Sequence, residues 1–422
     1  MRRERSGNMN NGMQRVRPWQ RPFSTIVAVL FTALLVGSFI VLFNRAHQSR
    51  TSSDNKTQQQ VVTKAPTTVP TVIVQNAGSI SSIHMLDATT GWALTDHAVL
   101  RTTDGGTYWQ DVTPPHATPA SINGAALAVL DASTAWVATV RPAGTTLLVF
   151  RTSDAGQTWQ QTIVKANGNT AGAQITFINA KDGWMLVGLG AGAGSEAVAI
   201  YRTTGGGQTW TKASSTNPPV ETTPGGLPLG GDKNGLSFLN SSTGWATGTE
   251  PSNTPWLYVT HDGGQTWQHQ ALQLPPNQAS AELSITPPTF FNATDGILPV
   301  NGLSVGSQVV GASDIYITHD GGATWNSTSL LAANASSADF TDINHGWVTD
   351  GANLYMTSDG GQHWTKILSV TNNMPKFQSL DFVSSEVGLA IGYTDSGAMF
   401  LLKTVDGGYT WTHVRYIVYK VV

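Results

Sequence analysis

One octapeptide decides the fold: TTDGGTYW at residues 102–109, which recurs in six later copies. The copies are TSDAGQTW (152–159), TTGGGQTW (203–210), THDGGQTW (260–267), THDGGATW (318–325), TSDGGQHW (357–364) and TVDGGYTW (404–411). Their final Trp residues lie 39 to 58 residues apart. A loose period of about fifty residues is typical of a supersecondary unit that repeats with loops of variable length.

A second motif precedes each octapeptide, a turn that ends in Gly or Ala and usually continues with Trp. Its copies are Gly91-Trp92, Ala135-Trp136, Gly183-Trp184, Gly244-Trp245, Gly296-Ile297, Gly346-Trp347 and Gly388-Leu389. The sixth repeat predicts four strands, near 337–343, 347–349, 353–357 and 364–368. A lone four-stranded sheet cannot bury both of its apolar faces, so repeated sheets are expected to pack face to face around an axis. The sequence therefore predicts an all-β fold, a single closed seven-bladed β-propeller over residues 78–422.

The octapeptide is predicted to form the hairpin between the third and fourth strands of each blade. Its Asp carboxylate can accept backbone N–H groups of the turn, its Gly supplies a positive φ, and its Trp returns to the sheet. The structural residues so assigned are Asp104, Asp154, Asp262, Asp320, Asp359 and Asp406, with Trp109, Trp159, Trp210, Trp267, Trp325, Trp364 and Trp411. The third copy has Gly205 in place of Asp. One isolated carboxylate per blade serves neither a metal ion nor an acid/base pair, so we expect no metal site, cofactor or catalytic role here.

Composition excludes several classes of protein. Charged residues are 12% of the chain, against 44 Gly and 14 Trp, which disfavours a helical enzyme. Residues 51–422 hold 15 Lys and Arg against 25 Asp and Glu, an acidic balance that argues against nucleic acid as a partner. The absence of Cys excludes disulfides, thiolate metal sites and Cys nucleophiles.

The N-terminal part predicts a membrane anchor. Residues 23–43 carry no charge, and as a helix they would span about 31 Å, close to the thickness of the hydrocarbon core. Six Arg precede this stretch, so residues 1–22 are predicted to be a cytoplasmic basic segment. Residues 44–77, rich in Ser, Thr, Gln and Pro, are predicted to be a stalk that presents the propeller outside the membrane. A cleaved signal peptide fits less well, because the apolar stretch is long and lacks a small-x-small site. Whether 71–74 add an outer strand to the last blade is left open, because residues 411–419 are expected to form that blade's own fourth strand.

The octapeptide resembles the Asp-box, or BNR repeat, of sialidases, sortilin-type receptor ectodomains, xyloglucan-degrading glycosidases and the photosystem II stability/assembly factor family. The resemblance covers all seven repeats, and the box with its Gly-Trp companion is most similar to the assembly factor group. It implies a propeller whose boxes lie away from the binding face. Because Asp-boxes occur in enzymes and in binding proteins alike, the resemblance implies the fold more strongly than the function.

A sialidase is disfavoured by the Arg residues. The sialidase resemblance implies three Arg on one face, but only five Arg follow residue 50, and Arg101, Arg151 and Arg202 directly precede box Thr residues, which places them on third strands. A glycoside hydrolase of another Asp-box type stays open as the alternative to a non-enzyme. Its two carboxylates would come from the loop residues Glu196, Glu221, Glu250, Glu282 and Asp395.

The face opposite the boxes carries the long, irregular connections, where binding residues are expected. Candidate ligand-binding residues there are Trp256, Glu250, Arg141, Glu196 and Asp395. Trp256 lies outside the repeat pattern, and it could either anchor a ligand or pack inside a blade at the start of a third strand. The sequence predicts a membrane-anchored scaffold on the cell membrane that binds a protein or glycan partner outside it.

Overall fold

The computed structural model describes residues 72–421, except 75, 77, 141–143, 167, 217–224, 251–253, 276–281, 304–312, 330, 332–334 and 372–373. The chain divides into Met1–Thr67 and Thr68–Val422, and every described residue lies in the second part. The predicted cytoplasmic segment, membrane helix and most of the stalk therefore lie outside the described residues. Among the residues that are described, no helix is both long enough and apolar enough to span a membrane.

The described residues are almost entirely β-structure, with one short helix, α1 (Pro119–Ile122). The first strands along the chain are β1 (Val72–Val74), β2 (Ile80–Met85), β3 (Gly91–Thr95), β4 (Val99–Thr102), β5 (Tyr108–Asp111), β6 (Ala126–Val129), β7 (Ala135–Val140), β8 (Thr146–Thr152), β9 (Gln160–Lys165), β10 (Gly172–Phe177), β11 (Gly183–Gly192), β12 (Ser195–Thr203), β13 (Thr211–Ser215), β14 (Asp232–Phe238), β15 (Gly244–Glu250), β16 (Leu257–Thr260) and β17 (Gln268–His269). The remaining strands are β18 (Glu282–Ile285), β19 (Thr289–Phe290), β20 (Gly296–Leu303), β21 (Ser313–Thr318), β22 (Asn326–Ser327), β23 (Ser337–Phe340), β24 (Gly346–Thr349), β25 (Asn353–Thr357), β26 (Thr365–Ser369), β27 (Lys376–Phe382), β28 (Gly388–Tyr393), β29 (Met399–Thr404), β30 (Thr412–Val414) and β31 (Ile417–Val421). The predicted all-β fold is confirmed.

Consecutive strands pair as antiparallel units, each containing one copy of the repeat. We number these units 1 (β2–β5), 2 (β6–β9), 3 (β10–β13), 4 (β14–β17), 5 (β18–β22), 6 (β23–β26) and 7 (β27–β30). In unit 5, β18 and β19 both pair with β20, and β18 also pairs with β15, which joins units 4 and 5 into one sheet. The strands of unit 6 lie within a few residues of those predicted from sequence. Each octapeptide connects the last two strands of its unit, which are the predicted third and fourth strands in every unit except the five-stranded unit 5.

Unit 1 is extended by both ends of the described chain. Strand β31 runs parallel to β5, with Ile417 opposite Tyr108, and β1 pairs antiparallel with β31, with Val72 opposite Val421. Two expectations are corrected. The stalk prediction included Val72–Val74, which form a strand, and the last unit was expected to keep its fourth strand through Tyr419, whereas β30 ends at Val414 and the chain crosses to unit 1. The N-terminal strand is thus added to the sheet of the first unit rather than to the last.

The core consists of separate apolar clusters between consecutive sheets. Between units 2 and 3, for example, Ala138 and Val149 pack with Met185 and Val187, and all four are buried. Unit 7 packs against unit 1 in the same way, through Leu389, Leu401, Met85 and Val418. Burying a Val, Leu or Met side chain contributes about 1.5–3 kcal/mol, so each sheet depends on its neighbours for stability.

Candidate functional site

The octapeptide forms a closed network of hydrogen bonds within its own hairpin. In the fifth copy, Asp320 Oδ1 accepts bonds from the Thr324 N–H (2.9 Å) and Thr318 Oγ1 (2.7 Å), and Oδ2 accepts from Thr324 Oγ1 (2.6 Å). These bonds, led by that of the Thr324 hydroxyl, lower the pKa of Asp320 to about 2. Gly321 and Gly322 have φ of 70° and 82°, a conformation that residues with a Cβ rarely adopt. The carboxylate is therefore held as a fixed acceptor for the turn.

The two sequence motifs also bond to each other. The backbone N–H of the residue after each box Asp, or after Gly205 in the third copy, donates to a carbonyl of the turn that precedes the Gly-Trp pair. The donors and acceptors are Gly105 to Thr89, Ala155 to Ser133, Gly206 to Lys181, Gly263 to Ser242, Gly321 to Thr294, Gly360 to Asn344 and Gly407 to Glu386, at 2.7–2.9 Å. Boxes and Gly-Trp turns therefore lie at the same end of each unit.

The Trp of the Gly-Trp pair joins its unit to the next one. Trp184 Nε1 of unit 3 donates to the carbonyl of Gly263, in the box of unit 4, at 2.9 Å. Trp136 bonds Gly206 and Trp347 bonds Gly407 in the same way, each at 2.8 Å. The motif is thus half of a joint between neighbouring units, a role that no single repeat reveals.

Aromatic stacking strengthens these joints. The ring of Trp184 stacks on Phe238, the last residue of β14, with centroids 3.6 Å apart and planes 5° apart, and Phe238 meets the box Trp267 edge to face. The same stack joins Trp136 to Phe177 and Trp347 to Phe382. Arg101, Arg151 and Arg202 lie 5.5–5.9 Å from the rings of Trp92, Trp136 and Trp184 of their own units. These arginines therefore pack against the Trp residues of their own units and do not converge on a shared anion-binding site.

Two of the predicted binding residues, Glu196 and Trp256, meet at Lys233, which the sequence reasoning missed. Lys233 Nζ donates to the carbonyls of Glu196, Leu229, Gly230 and Gly231 at 2.6–3.0 Å and lies 5.0 Å from the Trp256 ring centroid. Glu196 Oε2 accepts the Lys233 N–H at 2.7 Å.

The expectation that Trp256 anchors a surface ligand is corrected. Its ring is 1% exposed and packs among Leu186, Leu227 and Phe238, and its Nε1 donates to Gly230 at 2.9 Å. The structure therefore places Trp256 in the packed position that was the other reading of the sequence.

The other predicted binding residues do not join this cluster. Asp395 is exposed and forms an ion pair with Lys376 at 2.7 Å, which raises the pKa of Lys376 through a hydrogen bond to the carboxylate. Arg141 and Glu221 lie outside the described residues. Glu250 ends β15, where only its backbone is described, and Glu282 begins β18. The pairing of β15 with β18 puts Glu250 opposite Leu283, next to Glu282, but no described hydrogen bond or ion pair joins the side chains of Glu196, Glu282 and Asp395.

The first strands of three units border a cavity of about 560 Å³. Its lining residues come mainly from β2, β6 and β10 and include Ser82, His84, Gln174 and Thr176 together with apolar side chains. His84 faces this concave surface, where surrounding protein lowers its pKa below the ordinary value.

Two carboxyl groups on neighbouring first strands have raised pKa values. Desolvation raises the pKa of Asp339 to about 6, and desolvation together with the charge of Asp339 raises that of Asp381 to about 7. Asp339 Oδ2 accepts the N–H of Phe382 in unit 7, and Asp381 Oδ2 accepts the N–H of Met85 in unit 1 at 2.6 Å. Each residue is the second to last of the first strand in its unit. An alignment of the repeats could therefore have predicted that the two are neighbours.

This geometry is that of an Asp-box protein with a β-propeller-type arrangement of sheets. Residues 323–418 match the family described as "Photosynthesis system II assembly factor YCF48", and residues 258–269 match the BNR/Asp-box repeat. The resemblance inferred from the octapeptide is therefore confirmed. No curated protein sequence is significantly similar to the chain.

Solved structures share the fold. The structure "YCF48 bound to D1 peptide" is 20% identical, with 80% of this chain and 96% of that chain covered and a TM-score of 0.52. YCF48 from Cyanidioschyzon merolae is 18% identical over 78% of this chain and 96% of its own, with a TM-score of 0.52. The GH74 xyloglucanase from Xanthomonas campestris is 14% identical over 84% of this chain and 56% of its own, with a TM-score of 0.55. At these identities the likeness concerns the fold alone.

Proposed function

We propose that the protein is a binding scaffold, a closed seven-bladed propeller held outside the cytoplasmic membrane by a single N-terminal helix. The match of residues 323–418 to the YCF48 assembly factor family carries this proposal. The boxes and Gly-Trp pairs form the contacts between neighbouring units. The connections at the other end of the strands are then the elements free to vary for recognition.

The favoured partner is a segment of another protein. A YCF48 structure carries a D1 peptide, and that protein shares the fold of this chain. The photosynthetic partner itself is not carried over, because residues 51–422 are acidic, with 15 Lys and Arg against 25 Asp and Glu. A glycan partner remains the other outcome of the binding experiment.

Photocrosslinking from opposite ends of two neighbouring units, 2 and 3, tests the scaffold. A photoreactive residue at Ala191, on the exposed hairpin between β11 and β12, reports the connection end, and one at Ser153 reports the exposed box end. Strands reverse direction, so these two hairpins lie at opposite ends of their sheets. A discrete protein adduct from Ala191 in the full chain, absent from Ser153, is expected. Adducts from Ser153 alone, or saturable glycan binding without protein adducts, would contradict a protein partner at this face.

Membrane topology requires a separate measurement. Protease added to intact cells should release the propeller and leave the N-terminal segment protected. Recovery of the uncleaved chain in the soluble fraction would contradict the anchor but leave the scaffold untouched.

Asp339 and Asp381 favour glycoside hydrolysis as a second candidate function. They form a coupled carboxyl pair with raised pKa values, and such a pair is what an acid/base mechanism requires. Each group nevertheless accepts a backbone N–H from the next unit, which accounts for its position structurally. Turnover of a xyloglucan oligosaccharide that is lost in Asp339→Asn and Asp381→Asn, with folding retained, would favour the enzyme. Equal inactivity of all three proteins would favour the structural role.

A further inference from the structure

Two backbone donors on the first strand of unit 7 are bonded by side chains of unit 6. The N–H of Leu380 in β27 donates to Ser337 Oγ at 3.2 Å, and the N–H of Phe382 donates to Asp339 Oδ2. Ser337 and Asp339 both lie on β23, the first strand of unit 6. The edge of β27 that does not pair with β28 is thus supplied with oxygen acceptors by the neighbouring unit.

Strand β10 of unit 3 carries the same pair of donors. In an antiparallel pair of strands, the N–H and C=O groups of alternate residues point away from the partner strand. The Ile178 N–H bonds the Asp182 carbonyl of the turn before β11. Given the continuous register of β10 with β11, the backbone groups of Phe177 and Ile175 therefore point away from β11. They correspond to those of Phe382 and Leu380.

Unit 2 has alanine at the two positions where unit 6 has the acceptors. Ala128 of β6 lies opposite the Trp of the Gly-Trp pair in its unit, as Asp339 does, and Ala126 precedes it by two residues, as Ser337 does. A methyl group cannot accept a hydrogen bond. Unit 2 therefore cannot supply β10 with the side-chain oxygens that unit 6 supplies to β27.

The cavity of about 560 Å³ borders this edge of β10. Its lining includes Ala126, Ala128, Ile175 and Phe177. The volume lies within the range of ligand pockets, about 300–1,000 Å³. None of the described residues that line it is Asp, Glu, Lys or Arg. The cavity therefore suits an uncharged ligand that accepts hydrogen bonds.

The spacing of the donors favours an extended peptide as this ligand. Residues two positions apart on a strand are separated by about 6.8 Å, at about 3.4 Å per residue. A single carboxylate cannot reach both donors, because its two oxygens share one carbon. Alternate carbonyls of an extended chain repeat at the same spacing as the donors. The N–H groups of such a chain can in turn bond the carbonyls of Ile175 and Phe177, which point to the same edge.

We infer that β10 binds an extended, uncharged peptide segment of the partner as an added strand, through backbone hydrogen bonds with Ile175 and Phe177. Ala126 and Ala128 leave space for the segment along the edge of β10, and apolar lining residues such as Leu127 contact its side chains. In strand addition, the backbone bonds supply affinity and the contacts of alternate side chains supply selectivity. The inference rests on the proposed scaffold function and specifies the form in which the partner is held.

Defined peptides test the pairing directly. The probe is a library of N-acetylated, C-amidated pentapeptides composed of Ala, Val, Ser and Thr, from which the full chain selects its ligands. Selected peptides are labelled with a fluorophore, and fluorescence anisotropy measures saturable binding. Methylation of alternate backbone nitrogens should weaken binding about tenfold in one register and little in the register shifted by one residue, because only alternate N–H groups face β10.

A double substitution, Ala126→Ser with Ala128→Asp, copies the acceptors of unit 6 into unit 2. The new oxygens should bond the N–H groups of Ile175 and Phe177 and weaken peptide binding about 10- to 100-fold, the effect of two backbone hydrogen bonds. Ala126→Ser alone should have an intermediate effect. Ala323→Asp is the matched control, because it adds a carboxylate at the exposed box of unit 5 and should leave binding unchanged. Circular dichroism and thermal unfolding check that each variant is folded.

Several results would overturn the inference. These are a library that yields no ligand, peptide binding that persists in the folded double variant, and binding that is equally sensitive to N-methylation in both registers. Binding of a xyloglucan oligosaccharide that the double variant loses, without peptide binding, would assign the cavity to a sugar and would also overturn it.

The photocrosslinking experiment separates this inference from the proposed function. A protein adduct from Ala191 in a chain that binds no peptide retains the scaffold and refutes the site on β10. Loss of both the adduct and peptide binding refutes the scaffold, and the inference falls with it.

Discussion

The joint between units 3 and 4 and the joint between units 7 and 1 connect neighbouring sheets by different means. The first has Trp184 stacked on Phe238 and hydrogen-bonded to Gly263, all from residues of the repeat. The second has Leu389 and Met85 in place of the two rings, and it includes a hydrogen bond from the Met85 N–H to Asp381 Oδ2 and the buried Val418 of β31. A joint inside the array can thus be built by the repeat alone, whereas the joint between its ends also uses Val418, from a strand that lies outside the repeats.

The largest effect is expected at the stacked joint. Trp184 is fully buried, so Trp184→Ala should lower the free energy of unfolding by about 3–5 kcal/mol through the lost stack and the cavity left behind. Trp184→Phe keeps a ring for Phe238 and should cost less. Urea unfolding followed by far-UV circular dichroism measures both. If Leu389→Ala at the closing joint lowers the free energy of unfolding more than Trp184→Ala does, the stacked joint is not the more stabilising of the two.

The closing joint should depend on the C-terminal strand. Val418 is 5% exposed and packs with Ile80, Leu389 and Leu401, so Val418→Ala should lower the free energy of unfolding by about 2 kcal/mol. Val421→Ala, on the exposed face of the same strand, should change it by less than about 0.5 kcal/mol. Equal effects of the two substitutions in thermal unfolding would show that β31 does not contribute to the core.

The carboxyl groups at the closing joint predict a dependence of stability on pH. Asp381 keeps its proton in the folded state up to about pH 7, whereas a carboxyl in the unfolded chain loses it near its ordinary pKa. The folded state therefore binds more protons between these values, and the free energy of unfolding should fall as the pH rises through this window.

Asp381→Asn removes the ionisation but keeps an oxygen acceptor for the Met85 N–H. The variant should be more stable than the wild type at pH 8 by up to about 4 kcal/mol, because each of the roughly three pKa units is worth about 1.4 kcal/mol, and nearly equal to it at pH 4. Asp339→Asn removes the neighbouring charge and should weaken the pH dependence in part. Parallel pH–stability curves for wild type and Asp381→Asn would show that this group does not control the joint.

The smallest effect is expected at the incomplete box of unit 3. Gly205 has no positive φ, and a Cβ there would lie 4.0 Å from Thr209 Oγ1, so Gly205→Asp can rebuild the network seen in the other copies. We expect it to raise the free energy of unfolding by about 1 kcal/mol, and Asp262→Ala in unit 4 to lower it by a similar amount, since solvent screens both sites. We also expect other substitutions in the unit 3 hairpin to be tolerated better. A destabilising Gly205→Asp would contradict this account of the box.

The sequence by itself determined the repeated four-stranded unit, the position of each box on its hairpin and the structural use of the box Asp and Trp. These features depend on contacts within a few residues, such as Asp320 with Thr324, and local contacts can be inferred from a motif. The stacking of Trp184 on Phe238 needed the packing of one unit on the next, although its residues recur visibly in the repeats.

Only the tertiary structure decided the rest. Trp256 lies inside the sheet packing because Lys233 and the 229–231 carbonyls cover it, which no local pattern encodes. Asp381 and Met85 are brought together by the packing of the last unit on the first, across almost 300 residues of chain. The addition of β31 and β1 to unit 1 likewise depends on where the two ends of the described chain meet in space, since β-pairing over such separations is fixed by the packing of the sheets and not by the sequence of either strand.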